Sequence, residues 1–373
     1  MARVLYVTLG YTVHDRRFLQ ALVGRGHTLW CLPLSGDAVR PEVPPVPDGV
    51  TMPEPVVPRG TRCGRRHMIR AASVLRRAIR ETRPDLVHAG PVHLGGFAAA
   101  LAGHRPMLAI SWGWDVLHEA RRCPISAAMM RFALQRADGA VCDCRTVEER
   151  LLAMAPGLQG RIARMPWGID LERFYPDAAR AREIRRSLGW EDRAIFLHTR
   201  SLSAFYGAAT LIAAAREVAR TEPRARFLLV GDGPLQAKAE AEFVRDSVSD
   251  AVRFLGAVAP DQLPDYFRAA DVYVSVAQTD GTSISLLEAM ASGLPVIVSD
   301  VPGNREWVTP GVNGWLVRPG DSRALAAALR EAMADGAARA AMGRANVKVA
   351  AERADWSRNV QQLFALYDQV LER

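Results

Sequence analysis

Residues 280–300 constrain the fold more than any other stretch of the chain. They read Asp-Gly-Thr-Ser-Ile-Ser-Leu-Leu-Glu-Ala-Met-Ala-Ser-Gly-Leu-Pro-Val-Ile-Val-Ser-Asp. Gly281 lets a loop bend, and a Thr or Ser beside it can cap the free N–H groups of a helix start. Leu286, Leu287, Met290 and Ala291 recur at helical spacing, which gives one apolar face. Gly293 suits the left-handed residue past a helix end. Val296, Ile297 and Val298 are expected as a buried strand, and residues 271–276 as another just upstream. Strand, loop, helix and strand in this order form the repeating unit of a parallel α/β domain.

That order also implies chemistry. The loop and the helix start lie at the carboxyl edge of the upstream strand, where free N–H groups and the positive end of the helix dipole make an anion site. Such a site is worth roughly 0.3–1 kcal/mol per charge, and up to about 2 when partly buried. A nucleoside diphosphate fits it. Asp280 sits in the loop and Glu288 two turns further on, and two carboxylates at one ligand edge suit sugar or ribose hydroxyls. The same unit also occurs in any doubly wound fold, with Glu288 as a solvated surface residue. The residues alone leave both readings open.

The run from Asp280 to Glu288, with the Ala-Met-Ala-Ser-Gly-Leu-Pro-Val-Ile that follows, resembles the Glu-x7-Glu signature of glycosyltransferase family 4. The resemblance implies the GT-B fold, two Rossmann-like doubly wound α/β domains facing across a cleft. It also implies transfer of sugar from a nucleotide sugar with retention of configuration. Glu288 matches the second Glu, which implies contact with the donor ribose. Asp280 stands where the first Glu is usual, with the role of holding the donor sugar. It is one methylene shorter, so its reach falls by roughly 1.5 Å.

A chain of 373 residues, 49% apolar with a mean hydropathy of -0.02, is expected to form two domains of ordinary size. No run of 18 apolar residues occurs, so no transmembrane helix is expected. The first residues read as a strand rather than a signal peptide. The odd set Cys31, Cys63, Cys123, Cys142 and Cys144 lacks paired C-x-x-C spacing, which favours reduced thiols and a cytoplasmic chain. Charge is lopsided. Residues 1–166 carry 23 Arg against 13 acidic residues, a net of +10, and the remainder carries 25 basic against 27 acidic, a net of -2. The basic first half points to an anionic surface or acceptor.

Residues 3–9 predict strand one, 17–25 a helix and 28–32 a second strand. His14 falls in the loop between, at a ligand edge, as a candidate acceptor-side residue, although Thr12-x-x-Asp15 also matches a capping box. Residues 41–60 are Pro-rich and irregular. Residues 62–83 hold eight Arg around Met68, Ile69, Ala72, Leu75 and Ile79 at helical spacing. This basic amphipathic helix is either an ordinary surface helix or a docking face for an acidic acceptor or for anionic lipid at the inner membrane face. His88 and His93 follow the next strand beside Gly95-Gly96, and His93 is a candidate catalytic residue. Trp112, Gly113 and Asp115 follow residues 107–111, where the family often has His. The tryptophans there suit stacking on a sugar, or plain core packing.

The segment 166–174 resembles the family's interdomain passage, with Gly168 and Asp170 matching. The expected domains are 1–166, with a final helix 356–373 returning to it, and 167–355. In the second, Arg200 matches the family's donor-phosphate arginine, while Tyr206-Gly207 replaces the usual Lys-Gly. Strand ends at Arg200, Gly231, Gly256 and Asp280 are expected to converge on one crevice. The donor set is Arg200, Gly231, Gly256, Asp280, Gly281, Thr282, Ser283, Ile284, Ser285 and Glu288, with Asp280, Arg200 and His93 as the catalytic candidates.

The expected function is metal-independent, retaining transfer from a nucleoside diphosphate sugar, a UDP-sugar first, to a hydroxyl acceptor that is lipid-linked, a polyol or a natural product. No cofactor, no metal and no nucleic acid are expected. A non-catalytic sugar-nucleotide-binding or regulatory protein is the alternative. An NAD-type dehydrogenase is disfavoured because no G-x-G-x-x-G follows strand one.

Overall fold

Apolar β-branched runs become the strands of two parallel sheets, each buried on both faces. A computed structural model describes residues 1–36, 45–57 and 64–372. Arg62, Cys63 and part of the Pro-rich stretch 41–60 lie outside the described residues. The first sheet comprises β1 (Arg3–Thr8), β2 (Thr28–Pro33), β3 (Val50–Thr51), β4 (Leu86–Ala89), β5 (Met107–Ile110), β6 (Gly139–Cys142) and β7 (Ile162–Arg164). Its order is β3-β2-β1-β4-β5-β6-β7, and all its pairings are parallel. The second comprises β8 (Ala194–His198), β9 (Ala225–Val230), β10 (Val252–Gly256), β11 (Val272–Ser275), β12 (Val296–Ser299) and β13 (Gly314–Val317). Its order is β10-β9-β8-β11-β12-β13, again parallel. This is the doubly wound α/β class expected from the sequence.

The chain divides into one unit of residues 1–165 and 360–373 and another of 166–359. Each sheet has one place where the winding reverses, between β1 and β4 in the first and between β8 and β11 in the second. Loops leaving the carboxyl ends of such a strand pair diverge to opposite faces and open a crevice.

Alternation within the strands explains the layering. On β8, Ile195 and Leu197 pack with Leu286, Leu287 and Met290 of the helix Ile284–Ala291. Phe196 points the other way, onto Leu211, Ala215 and Leu325. Both faces of the strand are apolar because helices cover both. Full burial of each Leu stabilises by roughly 1.5–3 kcal/mol.

Element limits differ from expectation where a polar residue starts a helix. The first helix runs Val13–Gly24, four residues earlier than the apolar spacing predicts, because Thr12 and Asp15 form the capping box. The stretch 321–354 is two helices, Ser322–Ala334 and Gly336–Arg353, since Asp335 caps the second through Ala338 N. The residues after Val301 form a short helix, Pro302–Arg305, instead of a loop. The final helix, Trp356–Leu371, starts at the predicted residue.

Candidate active site

The helix Ile284–Ala291 starts where the sequence places it. Ser283 is its N-cap, and its Oγ accepts from Leu286 N at 3.4 Å. Gly293 ends it with φ +78. Thr282 is not the cap; its hydroxyl accepts from Trp307 Nε1 at 3.4 Å. Ser285 is buried and accepts from the hydroxyl of Tyr273 on β11 at 2.7 Å. Ile284 packs on the core of the second unit, and Glu288 sits half-buried in the helix's second turn.

The winding reversal between β8 and β11 brings two distant residues together. Arg200 follows β8 and Asp280 follows β11 by a short loop. Arg200 Nη1 donates to Asp280 Oδ2 at 2.9 Å and to Ser283 Oγ at 2.5 Å. The two side chains are only 16% and 14% exposed, so losing either partner would leave a largely buried charge unpaired. Burial opposes the guanidinium charge, but Asp280, Tyr206 and Tyr273 outweigh it and hold Arg200 above its ordinary value. Tyr206 lies under Arg200 with its ring centroid 4.3 Å from Cζ.

Backbone fit keeps these loops in place. Gly207 has φ +70, and a Cβ there would come within 1.9 Å of Val276 O. The loop after β8 is thus pressed onto the loop after β11, and Gln278 N donates to Phe205 O at 3.0 Å. Gly231, at the end of β9, has φ +112 and no room for a Cβ beside Arg200 O. Its N–H donates to Gly256 O at 2.7 Å, which ties the ends of β9 and β10. Arg200, Gly231, Gly256 and Asp280 therefore lie at linked strand ends of one sheet.

The first unit treats its candidates differently. His93 lies in the turn Val92–Gly96 after β4, 5% exposed, with its ring edge-on to Trp114 at 5.2 Å. Burial, and then Arg65, lowers its pKa to about 4, so it is neutral at ordinary pH. His14 sits 6.3 Å from Trp112 between ring centroids, and Phe18 meets the same indole edge-on at 5.8 Å. Trp112 is half-buried, and Gly113 has φ +82 with its N–H on Ser111 Oγ at 3.1 Å.

Two acceptor-side candidates, His88 and Asp115, are buried. His88 is fully buried inside β4, and its Nδ1 is 2.7 Å from the Tyr367 hydroxyl of the final helix. It is a core histidine, with its pKa lowered by burial to about 3. Asp115 is also fully buried. It accepts from Val92 N at 2.9 Å, Ser111 Oγ at 2.7 Å and Val116 N at 3.1 Å, and so joins the loops after β4 and β5. Both side chains are buried within the first unit.

The sequence reading missed Tyr206 as a partner of Arg200, having registered only the lost lysine. It also missed the Tyr273–Ser285 bond. The signal for the second was present, since a Tyr in an otherwise apolar strand must find a partner for its hydroxyl.

The basic helix runs Met68–Thr82. Met68, Ala71, Ala72 and Leu75 are buried. Arg65, Arg66 and Arg70 are exposed beside Ile69, which is 80% exposed. Arg65 reaches Cys123, next to exposed Arg121 and Arg122 and to Ile125, 61% exposed.

Two family models match the chain. A family model described as Glycosyl transferases group 1 matches residues 180–349. One described as Glycosyltransferase Family 4 matches residues 10–173. The chain is 28% identical over 324 residues to a GDP-mannose-dependent alpha-(1-6)-phosphatidylinositol monomannoside mannosyltransferase of Mycolicibacterium smegmatis, covering 83% of this chain and 79% of that protein. It is 32% identical to a D-inositol 3-phosphate glycosyltransferase of Geodermatophilus obscurus over 56% of this chain and 47% of that protein. Among solved structures, a sucrose-phosphate synthase from Thermosynechococcus elongatus superposes over both full chains with a TM-score of 0.84 at 22% identity. WaaG, a glycosyltransferase involved in lipopolysaccharide biosynthesis, covers 98% of this chain and 99% of its own with a TM-score of 0.76 at 17% identity. These two share its GT-B fold.

Proposed function

Because the chain belongs to glycosyltransferase family 4 and is a nucleotide-sugar-dependent glycosyltransferase, we propose that it transfers sugar to a hydroxyl with retention and without a metal ion. The observation that carries the proposal is the set Arg200, Asp280 and Ser283 at the winding reversal of the second sheet. A cation and a helix N-terminus meet there, at the edge where an α/β sheet takes its ligand.

The donor diphosphate rests against Arg200 and the first turn of Ile284–Ala291. As the bond from the sugar C1 to the phosphate oxygen breaks, charge grows on the diphosphate. Arg200 and the helix N–H groups balance that charge without a metal ion. The acceptor oxygen attacks C1 from the face the phosphate leaves, and its proton passes to the leaving phosphate oxygen. Retention follows, and no enzyme nucleophile is needed. Glu288 takes the ribose hydroxyls. Asp280 is shared between Arg200 and the donor sugar.

The sequence favours a UDP-sugar, and the mycolicibacterial relative is named for GDP-mannose, so both bases belong in the test. That relative and the inositol phosphate enzyme carry the names of anionic acceptors. The exposed arginines and Ile69 of the first unit support a lipid-linked anionic acceptor taken at the cytoplasmic membrane face. Among the described residues, no helix is long and apolar enough to cross a membrane. His93, His14 and Trp112 are the acceptor-side residues of this reading.

The test is to incubate the protein with UDP-glucose or GDP-mannose and inositol-lipid acceptors, with and without EDTA, and read the product anomer by NMR. An α-product from an α-donor, formed equally in EDTA, is expected. An inverted product or loss of turnover in EDTA contradicts the mechanism.

A further inference from the structure

We propose that Tyr206 is a positioning residue that holds Arg200 for the donor and makes the site prefer the nucleotide sugar over the free nucleoside diphosphate. This rests on the donor-site reading above. Three observations carry it. The Tyr206 ring lies under the Arg200 guanidinium, 4.3 Å from Cζ. The ring is itself fixed, because Phe205 meets it edge-on at 5.0 Å and Gly207 anchors the following backbone against Val276 O. Arg200 also shares its charge with Asp280 at 2.9 Å.

The stacked ring, together with the hydrogen bond between the Tyr206 side chain and Arg200, fixes the guanidinium, so the N–H groups not engaged by Asp280, Ser283 and Tyr206 keep one direction. A tyrosine there adds no charge. A cation already shared with a carboxylate then faces the ligand's phosphates. A free nucleoside diphosphate carries about one more negative charge than the matching nucleotide sugar, because its terminal phosphate ionises twice. A site with a single, half-compensated cation gains less from that extra charge than a site with two. The donor is therefore held well relative to the product, and the diphosphate leaves readily after transfer.

The experiment measures binding of UDP, GDP, UDP-glucose and GDP-mannose by calorimetry to the full chain and to three variants. Melting temperatures provide the folding control. Tyr206→Leu removes the ring and is expected to weaken donor binding about 3- to 30-fold, the range of one cation–π contact. Tyr206→Phe keeps the ring and is expected to restore most of that loss. Tyr206→Lys adds a cation, and the ratio of diphosphate to donor affinity is expected to rise about tenfold, the order for one extra pair of unit charges a few Å apart. Donor affinity in Tyr206→Leu equal to wild type overturns the positioning role. An unchanged ratio in Tyr206→Lys overturns the selectivity. If the wild-type chain binds none of the four nucleotides, the donor-site reading itself falls. Tyr206→Phe and Tyr206→Lys retain a large side chain, so the proposal stays testable if Tyr206→Leu misfolds.

Discussion

At the end of β8, Arg200 holds Asp280 and Ser283 and lies over Tyr206. Replacing it with Ala is expected to lower kcat/KM at least about 10²-fold, roughly 2.7 kcal/mol of lost charge stabilisation. The variant also leaves the Asp280 carboxylate, 14% exposed, without its cation, so stability is measured alongside. Arg200→Lys keeps a point charge but loses the planar fork, and an intermediate loss is expected. Near-normal turnover in Arg200→Ala contradicts the assignment. Arg200 and Asp280 were legible in the sequence because each sits where a strand ends and a loop begins. The same pattern placed His88 and Asp115 near strand ends without revealing that both side chains are buried. Spacing marks which residues lie near an edge, but one residue of shift turns a strand side chain to the other face, and His88 turned inward to Tyr367. Tyr206 was legible as a departure and not as a partner, since stacking depends on a loop's path.

At the scale of elements, the helix Ile284–Ala291 was predictable because cap, apolar face and terminal glycine agree. The helix Val13–Gly24 was misplaced at its start because its first turn, Val13-His14-Asp15, lacks apolar spacing and is fixed by a polar cap. The basic helix Met68–Thr82 was legible as amphipathic, but its use was not. The structure adds Ile125 and the arginines 121 and 122 to the same exposed set, through the contact of Arg65 with Cys123. No periodicity in residues 62–83 could reveal that partner, because it lies more than 50 residues away. With Ile69 and Ile125 flanked by arginine, the protein is expected to float with vesicles rich in anionic lipid at low salt and to dissociate as salt screens the charges. Ile69→Glu with Ile125→Glu is expected to weaken flotation. Wild-type protein that stays in the soluble fraction at low salt contradicts a membrane contact.

Across the whole molecule, burial lowers the pKa of five histidines, His27, His88, His93, His104 and His198, and does so most for three of them. His88 is lowered to about 3, and His93 and His198 to about 4. Their ordinary value is about 6.5, so between pH 6.5 and 4 the unfolded chain binds more protons than the folded one. Stability from these groups is complete above pH 6.5 and falls with acid, about 2 kcal/mol per histidine by pH 5. His198→Asn, which cannot titrate, is expected to lose less melting temperature than wild type between pH 7 and pH 5. Equal losses contradict the neutral-histidine account. The two-sheet architecture was readable because strands and helices alternate through most of the chain. What the alternation could not fix was the bookkeeping of single side chains at the strand ends, where tertiary contacts between loops decide direction.

The donor assignment places a diphosphate against Arg200 and the N-terminal turn of Ile284–Ala291. A crystal structure of the protein soaked with UDP-glucose and, separately, with GDP-mannose tests it most directly. The account predicts that at least one of the two binds with its phosphates within hydrogen-bond distance of Arg200 and its ribose at Glu288. Phosphates bound away from Arg200, at any other edge of either sheet, would contradict it.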